Sequence, residues 1–291
     1  MGFFSNVFGK KTCALCGAEC GVMSRTKIKN DQFLCTKCRG NCSAYVRLSE
    51  WDLDRVKQHM AYMQRQKRLY DEVFQPAPKD LTCRVLVNEG IQFCDALGML
   101  YLMPDSSHKD RLPELLRYDQ IASWEPYLDE TQPAEKDKKP EFHGCGTTLK
   151  MVQADDIEDE NPKGLSAHPY IKYPIQICFT KSEKDREKAI SHVQSVCMKL
   201  DGINGKHDSQ RALFGFGMSK KESRDLKGAA EMLGVMGSMA KAAAAGRELT
   251  EEEQRRLGAK IDSANAAVQD ANTEGMAVYT RRADAAEAKV E

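Results

Sequence analysis

Thr12-Cys13-Ala14-Leu15-Cys16-Gly17, answered after eighteen intervening residues by Cys35-Thr36-Lys37-Cys38, sets two C-x2-C pairs at the spacing of a structural metal site. A C-x2-C turn brings two thiolates onto one knuckle with freed backbone N–H groups pointing at sulfur, and a second knuckle completes a tetrahedron round one ion. The ion this pattern implies is Zn2+, with Cys13, Cys16, Cys35 and Cys38 as ligands. Gly17 directly follows the first knuckle and Gly40 closely follows the second, where a chain curling round a metal often needs a conformation that glycine adopts cheaply. The rival reading, a redox dithiol, belongs at a strand-to-helix junction of a βαβ unit, and none is legible here. Cys20 and Cys42 each follow a knuckle by four residues. Spare ligands, a second metal or an old duplication would account for them. The preferred reading is two semi-buried thiols beside a single-ion site, because four thiolates already close the shell.

The chain has 291 residues, 41% hydrophobic and 30% charged, which suits a soluble globular protein of about two domains. Its formal net charge is zero, which argues against wholesale nucleic-acid binding, but the distribution is uneven. Residues 1–72 carry thirteen basic and seven acidic side chains, whereas residues 125–160 carry eleven acidic and four basic ones. Eleven cysteines, an odd number at zinc-type spacing without a signal-peptide pattern, point to a reducing compartment, with the cytoplasm as the expected location. No run of eighteen apolar residues occurs, so no single helix is expected to span a bilayer. The start Met1-Gly2-Phe3-Phe4-Ser5-Asn6 has Asn6 where a myristoylation pattern wants Ser or Thr.

Turn and breaker residues divide the chain into a zinc-ribbon-like module over 1–48, a connecting helix and Pro-rich boundary over 49–78, a β-rich module over 79–205, and an Ala-rich helical tail over 206–291. Phe3, Phe4, Val7 and Phe8 form a short apolar leader expected to pack on the first module, with contact to a partner or a membrane as the alternative. Between the knuckles, alternation on either side of Asn30-Asp31 predicts a hairpin. Ser49 with Asp52 resembles a capping box, and Leu53, Val56, Met60, Met63, Tyr70 and Phe74 follow at near-helical spacing until Gln75-Pro76. Strands are expected over 82–87, 91–94, 99–103, 115–124, 147–152 and 175–179, with mobile surface loops over 129–141 and 154–168. A helix capped by Ser182 and Asp185 then carries Ala189, Val193, Val196 and Leu200 on one face before Asp201-Gly202 stops it. The class is α+β, a small barrel closed by its final helix. In the tail, Gly234, Gly237 and alanines allow close helix approach over 226–245. Thr250 with Glu253 then opens a helix whose thin seam runs from Leu257 to Val278, a basis for self-association through the C-terminal helices.

The stretch from Thr12 to Gly17, with Lys27 to Leu34 leading into Cys35-Thr36-Lys37-Cys38, resembles the small four-cysteine domain that opens many uncharacterised bacterial proteins. That family has no assigned activity, and the resemblance implies a structural zinc. It is often followed by a β-rich module similar to pleckstrin-homology-like (PH-like) domains, and Leu116-Arg117-Tyr118-Asp119-Gln120-Ile121-Ala122-Ser123-Trp124 looks like a strand of such a module. The implied role is a binding platform without catalytic residues. Gly246 to Glu253 with Leu257 is similar to short C-terminal helical hairpins thought to mediate association in bacterial proteins.

Enzyme signatures are missing from the sequence: no P-loop, no G-x-G-x-x-G after a strand, no H-E-x-x-H and no G-x-S-x-G. His143 and Cys145 form the nearest catalytic constellation, but their Gly-flanked setting reads as a turn. His168, His192 and His207 are scattered, and the run Asp155-Asp156-Ile157-Glu158-Asp159-Glu160 reads as a solvated acidic loop. The expected function is therefore that of a non-enzymatic cytosolic zinc-binding adaptor or scaffold whose β-rich module binds a protein or a membrane head group. The alternative is a nucleic-acid-binding zinc ribbon, in which Arg25, Lys27, Lys29, Lys37 and Arg39 contact phosphates and Phe33 stacks.

Overall fold

Residues 9–131, 140–157, 164–204 and 275–291 are described by a computed structural model. One compact unit comprises Met1–Cys197 with Met276–Glu291, and the second is Met198–Gly275. Of the second, the described residues are 198–204 and 275. The Phe-rich leader, the helix-prone stretch over 226–245, the capping box at Thr250 and the hairpin-like segment from Gly246 lie outside the described residues.

The cysteine-bearing module opens with strands β1 (Lys11–Thr12) and β2 (Glu19–Cys20), then the hairpin β3 (Arg25–Lys27) and β4 (Phe33–Cys35), and one short helix, α1 (Thr36–Arg39). The hairpin pairs Arg25 with Cys35 and Lys27 with Phe33. Its turn uses Asn30 and Asp31 at φ of 57° and 53°, the left-handed region that these two residues tolerate best after glycine. Lys29 N–H then donates to the Trp51 carbonyl at 2.8 Å, tying the hairpin to the start of the long helix.

That helix, α2 (Leu53–Leu69), starts at Asp52, whose carboxylate accepts from Arg55 N–H at 2.8 Å. The cap is thus Asp52 itself rather than a box built on Ser49. A π-helical turn, Tyr70–Phe74, precedes the stop at Pro76. The first turns of α2 share a core with the cysteine module, where Val56 and Met60 pack with Leu34, Cys38, Leu48 and Trp51. Its far end joins a second core, in which Leu69, Val73 and Phe74 meet Cys94, Leu97, Met99 and Leu115. One amphipathic helix therefore serves two cores.

The β-rich region forms two antiparallel sheets. The first is a four-stranded meander, β5 (Leu81–Arg84), β6 (Gly90–Cys94), β7 (Met99–Met103) and β8 (Glu114–Arg117). The second holds β9 (Ile121–Thr131), β10 (Glu141–Met151) and β11 (Ile175–Thr180) in sequence order. The expected strand over 115–124 is broken by a 3-10 turn, Tyr118–Gln120, that carries the chain from one sheet to the other. The turn is fixed by its own side chains: Gln120 Oε1 accepts from Arg117 N–H at 3.2 Å, and the Arg117 guanidinium grips Asp119 with bonds of 3.0 and 2.8 Å. The β9–β10 hairpin also runs further than expected, so 129–131 and 141 are strand residues, while 132–139 fall outside the described residues. Helix α3 (Arg186–Ile203) follows β11, with Ala189, Val193, Val196 and Cys197 buried. Ser182 makes no side-chain cap bond, and a 3-10 turn, Glu183–Asp185, separates it from the helix, which continues past Gly202.

The last helix, α4 (Met276–Glu287), belongs to the first unit. Ala283, Ala286 and Val290 are buried in the core formed by the end of α2 and the four-stranded sheet. Gly98, at φ 61°, lets this segment approach, because a Cβ there would lie 2.3 Å from the Tyr279 carbonyl oxygen. Gly98→Ala is expected to destabilise the fold by about 1–3 kcal/mol, from left-handed strain plus overpacking, and to speed proteolytic release of residues 276–291. Urea unfolding and limited proteolysis measure both effects. Among the described residues no helix is long and apolar enough to cross a membrane.

Candidate metal centre

The first knuckle is a tight turn in which Gly17 N–H donates to the Cys13 carbonyl at 2.9 Å and Cys13 N–H donates to Ala18 at 2.8 Å. Gly17 sits at φ 72°, the left-handed region that glycine adopts most cheaply, as the spacing suggested. Gly40 does not repeat the pattern. At φ −62° and ψ −18° it is an ordinary right-handed residue closing α1, a conformation open to any side chain.

Strand β4 brings the knuckles together. Ala14 N–H donates to the Phe33 carbonyl at 2.8 Å, and Cys13 forms a parallel bridge with Phe33. Two residues later the same strand delivers Cys35, which caps α1 by accepting from Cys38 N–H on its sulfur at 3.4 Å. The four ligand atoms of Cys13, Cys16, Cys35 and Cys38 consequently lie within 4.8 Å of one another. The Cys16 and Cys35 sulfurs are 3.7 Å apart. A tetrahedron with zinc–sulfur bonds of about 2.3 Å has a sulfur–sulfur edge of about 3.8 Å, so the Cys16–Cys35 pair sits at the edge length of a closed thiolate site and the other two sulfurs lie close enough to complete it. Cys13 and Cys38 form its buried side, whereas Cys16 faces solvent.

Burial opposes ionisation of Cys13, yet backbone N–H groups of Cys16, Cys35 and Leu15 draw its pKa down to about 6. Burial pushes Cys38 the other way, reinforced by the sulfurs of Cys16, Cys35 and Cys13. Four adjacent thiols resist full ionisation through mutual repulsion, and a divalent cation at their centre reverses that preference. Cys20 and Cys42 stand outside this quartet. Cys20 is buried and donates its S–H to the Lys11 carbonyl at 3.1 Å, and its pKa is raised by burial and by the charge of Cys13. Cys42 is buried, with its pKa pushed up to about 11 by desolvation alone.

The basic residues proposed as phosphate contacts are partly engaged within the module. Arg25 donates to the Gly9 carbonyl at 2.6 Å and lies 5.0 Å over the Phe33 ring, which Lys11 also approaches at 5.9 Å. Phe33 thus has cations on its face where a base would stack. Lys27 pairs with Asp31 at 2.6 Å, while Lys29, Lys37 and Arg39 are exposed. In the β-rich region, His143 is exposed and bonds Thr131 Oγ1 at 2.7 Å. Cys145 is buried, with its pKa raised to about 11 by desolvation.

A buried polar seam escaped the sequence reading. His59 Nε2 accepts from Ser43 N–H at 3.1 Å, and its ring packs against Trp51 and Tyr170 at centroid distances of 5.0 and 4.6 Å. His168, read from sequence as the end of a mobile loop, is buried. Its Nδ1 accepts from the N–H groups of Tyr170 and Ile171 at 3.2 and 2.9 Å, so the proton sits on Nε2 and reaches the Tyr62 hydroxyl at 3.3 Å. Burial holds both imidazoles neutral, lowering His59 to about 4 and His168 to about 3.

No curated protein and no solved structure was found to match the chain. A stretch spanning both cysteine pairs and the opening turns of α2, residues 12–59, matches the family model described as a domain of unknown function (DUF4428).

Proposed function

We propose that the four thiolates hold one zinc ion as a structural brace and that the chain is a non-enzymatic cytoplasmic adaptor whose β-rich module presents a binding face. The convergence of four sulfurs within 4.8 Å of one another, with Cys16 and Cys35 3.7 Å apart, carries the zinc reading. A four-stranded meander, a three-stranded meander and a following helix, in that order, support the PH-like comparison for residues 79–205. None of the eleven cysteines is joined in a disulfide, in keeping with a reducing compartment.

The binding role is supported by the β5–β6 turn. Leu86 and Val87 there are 67% and 59% exposed, and Leu86 stands at φ 51°, a left-handed conformation that costs a leucine about 1–2 kcal/mol. Exposed apolar side chains on a strained turn are favourable contacts for a protein partner or an anionic membrane surface. Co-flotation with anionic vesicles and affinity capture, each compared with a Leu86→Asp/Val87→Asp variant, test the role. Binding that falls at least tenfold in the variant, with unchanged thermal stability, is the expected result. Absence of binding in both assays, or equal binding by the variant, contradicts it.

A further inference from the structure

Glu114, in β8 opposite Leu102, is 4% exposed, and neither carboxylate oxygen has a hydrogen-bond partner of normal geometry. Ser43, from the loop after α1, is the hydroxyl whose influence it feels. Glu114 also borders a cavity of about 20 Å³, room for about one water, between the 42–45 loop and the four-stranded sheet. The titratable groups round it come from every neighbouring element. Cys42 and Tyr45 belong to the loop, Glu89 to the β5–β6 turn, and Asp105 and Arg111 to the β7–β8 connection. The Tyr62 hydroxyl of α2 lies within its electrostatic reach. Three carboxylates face one guanidinium across this seam.

We propose that Glu114 is a proton-dependent latch between the cysteine-bearing module and the β-rich region: protonated, it keeps the 42–45 loop seated on β7–β8; ionised, it draws water into the seam and releases the loop. An unpaired carboxylate in such a place is tolerated as the neutral acid and strongly disfavoured as the anion. Desolvation accordingly raises its pKa from 4.5 to about 7, against an opposing effect of Ser43. A carboxyl whose closed-state pKa is raised contributes stability that is fully present below about pH 4.5, is lost progressively as pH rises, and is gone above about pH 7. The buried histidines act in the opposite sense. They are held neutral, so their contribution is lost as pH falls from about 6.5 towards 4 and 3.

Comparison with Glu114→Gln isolates the latch, because the histidines are common to both proteins. Amide exchange at Ser43 and Tyr45 in the full chain, corrected for intrinsic rates, reports opening of the loop. Between pH 5 and 8.5 the wild-type opening equilibrium is expected to rise on the order of fiftyfold relative to the variant. Parallel pH profiles would overturn the proposal. Should the variant fail to fold, carboxyl carbon NMR of wild-type Glu114 decides it: a midpoint near 7 supports the latch, and a midpoint in the ordinary carboxylate range refutes it.

Discussion

Replacing Cys13 with serine is expected to abolish stoichiometric zinc binding and to unravel residues 11–42, while both β-sheets persist. Structural zinc contributes about 10–16 kcal/mol to small cysteine-rich modules at neutral pH, which is as large as the whole stability of an ordinary domain, about 5–15 kcal/mol. Little else sustains residues 11–42 alone, since β1 to β4 are two or three residues each and α1 has four. Ile28, Leu34, Leu48 and Trp51 form a small apolar cluster in which two of the ligands, Cys13 and Cys38, are themselves members. Loss of the ion thus removes metal bonds and core packing together. Val56 and Met60 would lose their partners, so the first turns of α2 should loosen too. Amide NMR of the full chain separates the regions. Collapsed dispersion for residues 11–42 with retained β5–β11 resonances is the expected pattern, and an intact module in Cys13→Ser would contradict the proposed brace.

The second large effect is expected at Arg117. Its guanidinium is 13% exposed and grips Asp119, whose side chain is fully buried, through two bonds. It also reaches Asp284 at 2.7 Å and Glu287 at 3.1 Å on α4. Arg117→Met leaves Asp119 charged and unpaired in the core, a change that costs about 3–5 kcal/mol. Asp284 and Glu287 are more exposed and add little by themselves, but the substitution removes the guanidinium that both pair with. Urea unfolding is expected to shift by that amount, with partial recovery in the Arg117→Met/Asp119→Asn double variant because the stranded charge is gone. A shift below about 1 kcal/mol would place the pair among weak surface ion pairs.

How much of this was legible in the chain follows from the range of each interaction. The sulfur quartet could be read because ligand spacing is local and thiolate geometry is demanding. The Asn30-Asp31 turn and the Met-rich face of α2 were legible for the same reason. Gly40 misled because a glycine near a knuckle need not occupy a left-handed conformation. The corner at Tyr118–Gln120 was hidden within a continuous β-like run, and side-chain bonds of Gln120 and of the Arg117–Asp119 pair turn it. His59 did leave a signal: it falls between Val56 and Met63 at helical spacing, on the buried stripe. Glu114 left none, because the groups that interact with it, Ser43, Tyr45 and Tyr62, are all distant in sequence.

Metal analysis of the purified full chain, joined to X-ray absorption at the zinc edge, tests the central claim most directly. The account predicts one zinc per chain in a shell of four sulfurs at about 2.3 Å. A metal-free protein that keeps its fold, or a shell of nitrogen and oxygen, would contradict it.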